Sequence, residues 1–208
     1  MKSVVLFRDF EERDIDAIYR WKNDEKLYGM TVGGFHSISY EEAVKWVHGC
    51  IGNHETYKFW AVCTNDEEKK IVGYVSISEI NLTNSSAQFH SMLIGEPSYR
   101  GGAAWIQCYQ FVLEYVFEVM GLNRLAGKAI TEHPQTITMM SALHFVKEGI
   151  ERQSVFRNNR YYDVQIHSLL KQEYFNYKSD GDYEFASLLK RIVRISQKNK
   201  LIANGQDS

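Results

Sequence analysis

The chain has 208 residues, enough for one domain with a substantial core. Hydrophobic residues make up 44%, charged residues 24%, and the formal net charge is −2. This is an ordinary soluble composition with no basic excess to attract nucleic acid. No apolar run reaches the roughly 18 residues of a membrane span, and the opening MKSVVLFRDFEERD turns acidic too soon for a secretory signal. Cys50, Cys63 and Cys108 lack metal-ligand spacing and lie in apolar patterns. They predict reduced, buried thiols, no metal centre and a cytoplasmic setting.

In chain order, Val4–Phe7 reads as a short strand and DIDAIYRWKND as a helix, with Ile15, Ile18 and Tyr19 at helical spacing. Glycine-rich GMTVGGF reads as a mobile loop. SYEEAVKWVHGCI opens with Ser39 and Glu42, a capping box, and predicts a second helix. YKFWAVCT and KKIVGYVSISEI read as strands joined by the charged turn NDEEKK, and AQFHSMLIG as a further strand. The loop EPSYRGGAAW then opens a long helix with Ile106, Tyr109, Leu113, Phe117 and Met120 on one face, stopped by a left-handed Gly121. NRLAGKAI is a strand, and HPQTITMMSAL a short helix with Pro134 in its first turn.

FVKEGIERQSVF and RYYDVQIHSLL read as strands around Asn158-Asn159, a pair suited to the positive φ of a two-residue turn. Beyond Lys171 the chain is polar until DYEFASLLKRIVRI, an amphipathic helix striped by Phe185, Leu188, Leu189 and Ile192. The last dozen or so residues read as frayed. The order predicts an α/β fold: a mixed, mostly antiparallel central sheet with helices on both faces and an extra C-terminal helix.

The loop between AQFHSMLIG and the long helix carries the chemistry. A loop that leaves a strand and opens a helix gathers unpaired amides at the positive end of the helix dipole, a physical site for phosphate. Gly101 and Gly102 let backbone approach a ligand, and Pro97 stiffens the entry. The segment is neither a P-loop nor a dinucleotide fingerprint, since Gly-Lys-Ser/Thr and G-x-G-x-x-G are both absent.

Taken together, AQFHSMLIG, EPSYRGGAAW, the long helix, GLNRLAGKAI, HPQTITMMSALHF and KEGIERQSVFRNNRYYDVQIHSLL resemble the GCN5-related N-acetyltransferases. YRWKND is similar to the branch that acetylates ribosomal-protein N-termini, polyamines and nucleotide-linked amino sugars. The resemblance implies an acyl-CoA-binding domain over 1–175, with the C-terminal helix and tail of 176–208 in the same domain. It implies acetyl-CoA as co-substrate and transfer to a primary amine of a small molecule, preferably a nucleotide-linked amino sugar. A polyamine or a protein N-terminus is an alternative acceptor. A degenerate fold that binds a ligand or partner without transferring is another alternative. A homodimer stays open, with the C-terminal helix as arm or lid.

The implied cofactor contacts are Leu93, Ile94 and Gly95, whose backbone pairs with pantetheine and holds the thioester oxygen, then Arg100, Gly101, Gly102, Ala103, Ala104, Trp105 and His133. Arg100 keeps the first position of the resembled loop, whereas Ala103 and Trp105 replace its glycine and its small residue. His90 is one candidate general base, against the alternative of a hydrogen-bonded sheet histidine, and Glu79 is another. Gln88 stands where relatives often carry Glu. Met140 occupies the position of a tyrosine acid and His144 that of a glycine, which leaves Ser141 as the candidate donor. Trp21, Asn23 and Asp24 are expected to meet the acceptor, with core packing as the alternative for Trp21.

Overall fold

The structure, a computed structural model, describes residues 3–28, 31–52 and 54–203. The chain forms two compact units, Met1–Leu125 and Ala126–Ser208. The first contains β1 (Val5–Arg8), a 3-10 turn (Glu12–Asp14), α1 (Ile15–Lys22), α2 (Glu25–Tyr28) and α3 (Tyr40–Cys50). It continues with β2 (Lys58–Thr64), β3 (Ile71–Asn81), β4 (Ser86–Ile94) and α4 (Gly102–Glu114), which runs on into a π turn over Tyr115–Val119. β5 (Arg124–Ile130) crosses into the second unit, which adds α5 (Pro134–Ala142), β6 (Val146–Arg157), β7 (Arg160–Leu170), α6 (Lys171–Ser179) and α7 (Phe185–Ala203).

In the first unit β1, β2, β3 and β4 pair antiparallel in sequence order. The two-residue period of the strands sorts their side chains between two faces. Ala61 and Cys63 of β2, Tyr74 of β3 and Leu93 of β4 meet Ile18 and Trp21 of α1 and Val47 and Cys50 of α3 in one core. The opposite face takes α4, where Phe111 stacks on Phe7 at 3.9 Å and Tyr109 stacks on Phe89 at 4.9 Å. All three cysteines are buried and free. The capping box forms as read: Ser39 N–H donates to Glu42 Oε2 at 2.7 Å and Glu42 N–H to Ser39 Oγ at 3.2 Å.

In the second unit the strand order is β5-β7-β6, with β6 and β7 an antiparallel hairpin. Asn158 and Asn159 turn it at φ of 50° and 56°, as their side chains permit. His144 stands at φ 64°. Its ring stacks on Tyr177 at 3.6 Å, and its Nε2 meets Asp182 Oδ2 at 2.7 Å. Asp182 in turn pairs with Arg191 of α7 at 2.7 Å. A left-handed non-glycine residue costs about 1–2 kcal/mol, and this set of contacts offsets it.

Several sequence expectations are corrected. The long helix ends in a π turn before Gly121, which is left-handed at φ 67° as read. The polar stretch after Leu170 is helical, because Glu173 Oε2 accepts the Leu170 amide at 3.0 Å and fixes the first turn of α6. α7 continues to Ala203 rather than fraying from about residue 197, and 204–208 lie outside the described residues, as do Gly29 and Met30 of the glycine-rich loop. Leu188 is fully buried but Leu189 is 43% exposed, so the stripe on α7 is narrower than its sequence suggests.

Asp14, 1% exposed, takes Arg8 in a two-bond fork at 2.7 and 2.8 Å and also accepts the Glu11 amide at 2.9 Å. Removing one partner of a buried pair leaves the other uncompensated, at a cost of about 3–5 kcal/mol. Asp14→Ala should therefore lower the urea midpoint by an amount equivalent to about 3 kcal/mol at unchanged m-value. A loss below about 1 kcal/mol would show that solvent replaces the carboxylate.

Candidate active site

β4 stops where the amides of Gly95 and Glu96 both donate to the Val72 carbonyl, at 2.9 and 3.1 Å. Pro97–Tyr99 then makes a 3-10 turn. Arg100 folds back over the strand end, its Nε donating to Ile94 O at 3.2 Å and its Nη2 to Gly95 O at 2.6 Å. Arg100, expected as a cofactor ligand, also braces the loop, because two strand-end carbonyls need a donor, and it stands in the lining of an adjoining cleft. Gly101 and Gly102 follow at φ of 75° and 61°, and no side chain caps the start of α4. Gly101, Gly102, Ala103 and Ala104, at the start of α4, line this cleft of about 600 Å³ together with Ser3 and Asn65. Asp66 also lines it, and its Oδ1 accepts from Thr64 Oγ1 at 2.7 Å and from the Lys69 amide at 3.1 Å.

Trp105 departs from its expected place as a cofactor contact. Its ring lies edge-on to Tyr109 at 5.6 Å, Tyr109 is stacked on β4 through Phe89, and the cleft lining ends at Ala104. The indole belongs to the sheet side of α4, so the bulk at this position does not fill the cleft.

The Gly95 amide is spent on Val72, so it cannot also hold a thioester oxygen. Tyr74 pairs with Leu93 in the next register position of the same ladder. Alternation along an antiparallel pair therefore turns the Leu93 amide toward β3 and the Ile94 amide away from it. Of the three residues expected at this point, Ile94 has the amide directed outward.

Two irregularities of the β3–β4 ladder place the candidate bases. Ser76 faces Ser91 and Ile77 faces Phe89, so His90 is the extra residue of a bulge. Ser78 faces Gln88 and Asn81 faces Ser86, so Glu79 lies in a second irregularity, at φ 50°. Bulges re-aim side chains, and a left-handed glutamate is backbone strain kept where the surrounding ladder fixes it. His90 is exposed, with its ring edge-on to Phe59 at 6.2 Å. Partial burial by its neighbours holds its pKa below the ordinary histidine value; Glu79 opposes this shift and Lys22 adds to it. Neutral imidazole is the form that accepts a proton.

The sheet face beside His90 is aromatic and continuous with the core. Trp46 meets Phe59 edge-on at 5.3 Å and Tyr74 at 5.4 Å, and the hydroxyls of Tyr28 and Tyr74 are 3.5 Å apart. Lys22 Nζ lies 4.3 Å from the Trp46 ring centre, its pKa lowered by burial. Ser76 and Ser91 share a hydrogen bond of 2.7 Å. Sequence reading missed this wall. The available signal was the strand period, which puts Phe59 on the face of Ala61 and Cys63 that packs against α1 and α3.

The expected acceptor residues do other work. Trp21 is 2% exposed and belongs to the core. Asn23 spends both ends of its amide on Ile38, at 3.0 and 3.1 Å, tying the segment before α3 to the end of α1. Asp24 Oδ1 accepts the Lys26 amide at 3.1 Å and starts α2. In the second unit His133 caps α5, its Nδ1 accepting the Thr136 amide at 3.3 Å. Met140 is buried against Gly127, where an added Cβ would come within 2.7 Å of the methionine methyl. Ser141 is exposed, about 100° around the helix from Met140, so the two do not project together.

The model of the acetyltransferase (GNAT) domain matches residues 5–146. A spermidine N(1)-acetyltransferase of Vibrio cholerae is 24% identical over 176 residues, 85% of this chain and 98% of that protein. YoaA, an uncharacterized N-acetyltransferase of Bacillus subtilis, is 23% identical over 172 residues, covering 80% and 93%. Among solved structures, the Vibrio cholerae spermidine N-acetyltransferase in complex with CoA and spermine superposes with a TM-score of 0.74 at 24% identity, over 84% of this chain and 100% of that one.

The left-handed glycines give a direct test of the loop. An added Cβ at Gly101 or Gly102 meets nothing within 4 Å, so the penalty is conformational. Alanine at either position should cost about 1–3 kcal/mol or shift the start of α4. The Gly101→Ala/Gly102→Ala protein should show a smaller rise in melting temperature with acetyl-CoA than the unaltered chain. An undiminished rise would remove the loop from the binding site.

Proposed function

The chain belongs to the acetyltransferase (GNAT) family and, for this N-acetyltransferase with acetyl-CoA as co-substrate, we propose a linear polyamine as the acceptor. The observation that carries the transferase reading is the uncapped start of α4 behind two left-handed glycines, open on the cleft. Helix-start amides and the dipole favour the phosphates of CoA there. Acetyl-CoA supplies the activated acetyl group. The outward amide of Ile94 donates to the carbonyl oxygen of that group, a contribution of about 3–4 kcal/mol for one such donor.

The amine arrives largely protonated and must be neutral to attack. His90, whose pKa is lowered by partial burial, takes the proton directly or through one water, and Glu79 beside it attracts an ammonium group. Met140 has no proton to give, so the departing thiolate is protonated by solvent. The spermidine acetyltransferases among the relatives support a polyamine ahead of the nucleotide-linked amino sugar that the resemblance first favours. The aromatic wall beside His90 suits an alkylammonium chain.

One observation favours a second reading. Lys22 is a half-buried cation on this same face, without a hydrogen bond or carboxylate partner among the described residues, and it bears on His90. It suits an acceptor amine that also carries an anionic group. The degenerate reading has less support, since Trp105 lies outside the cleft lining and the Ala103 amide remains available.

Release of free thiol from acetyl-CoA with a panel of amines decides among these. Spermidine should be acetylated, and acetyl-CoA at about a hundredfold excess over its Kd should stabilise the fold by about 2.7 kcal/mol. No thermal shift and no thiol release would support the degenerate reading. Lys22→Gln should raise kcat/KM for a polyamine and lower it for an anionic amine. For His90, kcat/KM should rise with pH in two limbs, the upper set by the amine. The lower limb should lie below the ordinary histidine pKa of about 6.5, since the neutral base accumulates as pH rises through the depressed value. His90→Ala should remove that lower limb and reduce kcat/KM by about 10² or more. A variant that keeps both limbs would make His90 a sheet residue only.

A further inference from the structure

The last turn of α1 touches the cofactor loop at two consecutive residues. Trp21 lies against Gly95, where an added Cβ would run into Cε2, Cδ2 and Nε1 of the indole. Arg20, one residue earlier, pairs through its Nη2 with Glu96 Oε1. Gly95 is therefore fixed from three directions: by Val72 through its amide, by Arg100 through its carbonyl and by Trp21 against its α-carbon.

The indole N–H of Trp21 is buried without a hydrogen-bond partner. An unpaired buried donor is destabilising, and leucine would fill core volume without leaving one. What tryptophan adds here is a broad rigid plate over a residue with no side chain. The ion pair is the lesser contact, since the Arg20 side chain is 61% exposed and solvent screens exposed pairs.

We infer that Trp21, with Arg20 in support, is a positioning residue for the acyl-CoA loop: it presses Gly95–Glu96 onto the sheet and so sets where the Gly101–Gly102 mouth of α4 stands. The role rests on the reading of that mouth as the CoA site, although Trp21 itself does not line the cleft. Asn23, two residues on, ties the end of α1 to Ile38. One short helix thus anchors both the cofactor loop and the segment leading into α3.

The test is a double-mutant cycle read by calorimetric titration with acetyl-CoA and by amide exchange over residues 95–102 in the ligand-free chain. Gly95→Ala should weaken acetyl-CoA by about tenfold or more and speed exchange in the loop, because displacement by about 1 Å is costly in a positioned site. Gly95→Ala/Trp21→Leu, which gives the methyl room, should return to within about threefold of the unaltered chain. If Gly95→Ala weakens binding equally in both backgrounds, the methyl obstructs the ligand itself and the positioning role is overturned. It is overturned as well if Gly95→Ala changes neither affinity nor exchange.

Should Gly95→Ala fail to fold, Trp21→Leu alone decides. It should raise KM for acetyl-CoA about three- to tenfold with kcat within about twofold, and an unchanged KM overturns the role. If the unaltered chain does not bind acetyl-CoA, the transferase reading falls, and the exchange comparison still decides whether Trp21 holds the loop.

Discussion

The site depends on one backbone carbonyl. Val72 O accepts two successive amides, from Gly95 and Glu96, and this doubled bond ends the β4 ladder. A ladder slipped by one residue would place Gly101 and Gly102 elsewhere and turn the Ile94 amide toward β3, since a one-residue slip reverses the direction of every group on the strand. Arg100 completes the stop by donating to the carbonyls of Ile94 and Gly95. The residue that the loop pattern marks most clearly thus acts on the protein's own backbone. A guanidinium with several fixed donors is suited to holding two carbonyls at once.

The acceptor face is organised by the way β3 and β4 fail to match. Both irregularities fall within a few residues, and each leaves a titratable side chain, His90 or Glu79, outside the regular alternation. A regular ladder would have sent these groups to faces dictated by the period of two. The twist and re-aiming that accompany a bulge place them at the surface beside the aromatic wall. The positive φ at Glu79 is the local cost of that arrangement.

Much of this was legible in the sequence wherever the signal was local. The Ser39–Glu42 box, the Asn158–Asn159 turn and left-handed Gly121 are decided within a few residues, and each forms as read. What stayed hidden depends on partners far along the chain. The bonds of Arg100 to the carbonyls of Ile94 and Gly95 are set by the fold and have no mark in the loop pattern. Trp21 looks like an acceptor contact until Gly95 takes its ring. A bulge leaves no composition signature, so nothing in QFHSML marks His90 as the extra residue. Helix α6 was missed because its polar residues lack an apolar stripe, and its start is fixed by a single carboxylate.

His144 has a consequence for how the chain could have changed over time. Its strained backbone is tolerable in company with Tyr177, Asp182 and Arg191, all of which lie beyond the end of the preceding strand. A histidine that appeared first would have carried the strain alone, and an aspartate that appeared first would have found no imidazole to hold. Such residues are coupled in the thermodynamic sense, so the effect of changing one depends on the others. The segment that carries Tyr177, Asp182 and Arg191 is therefore no removable appendage: its deletion would leave the positive φ of residue 144 without these contacts, and His144→Gly would be the natural companion of the deletion.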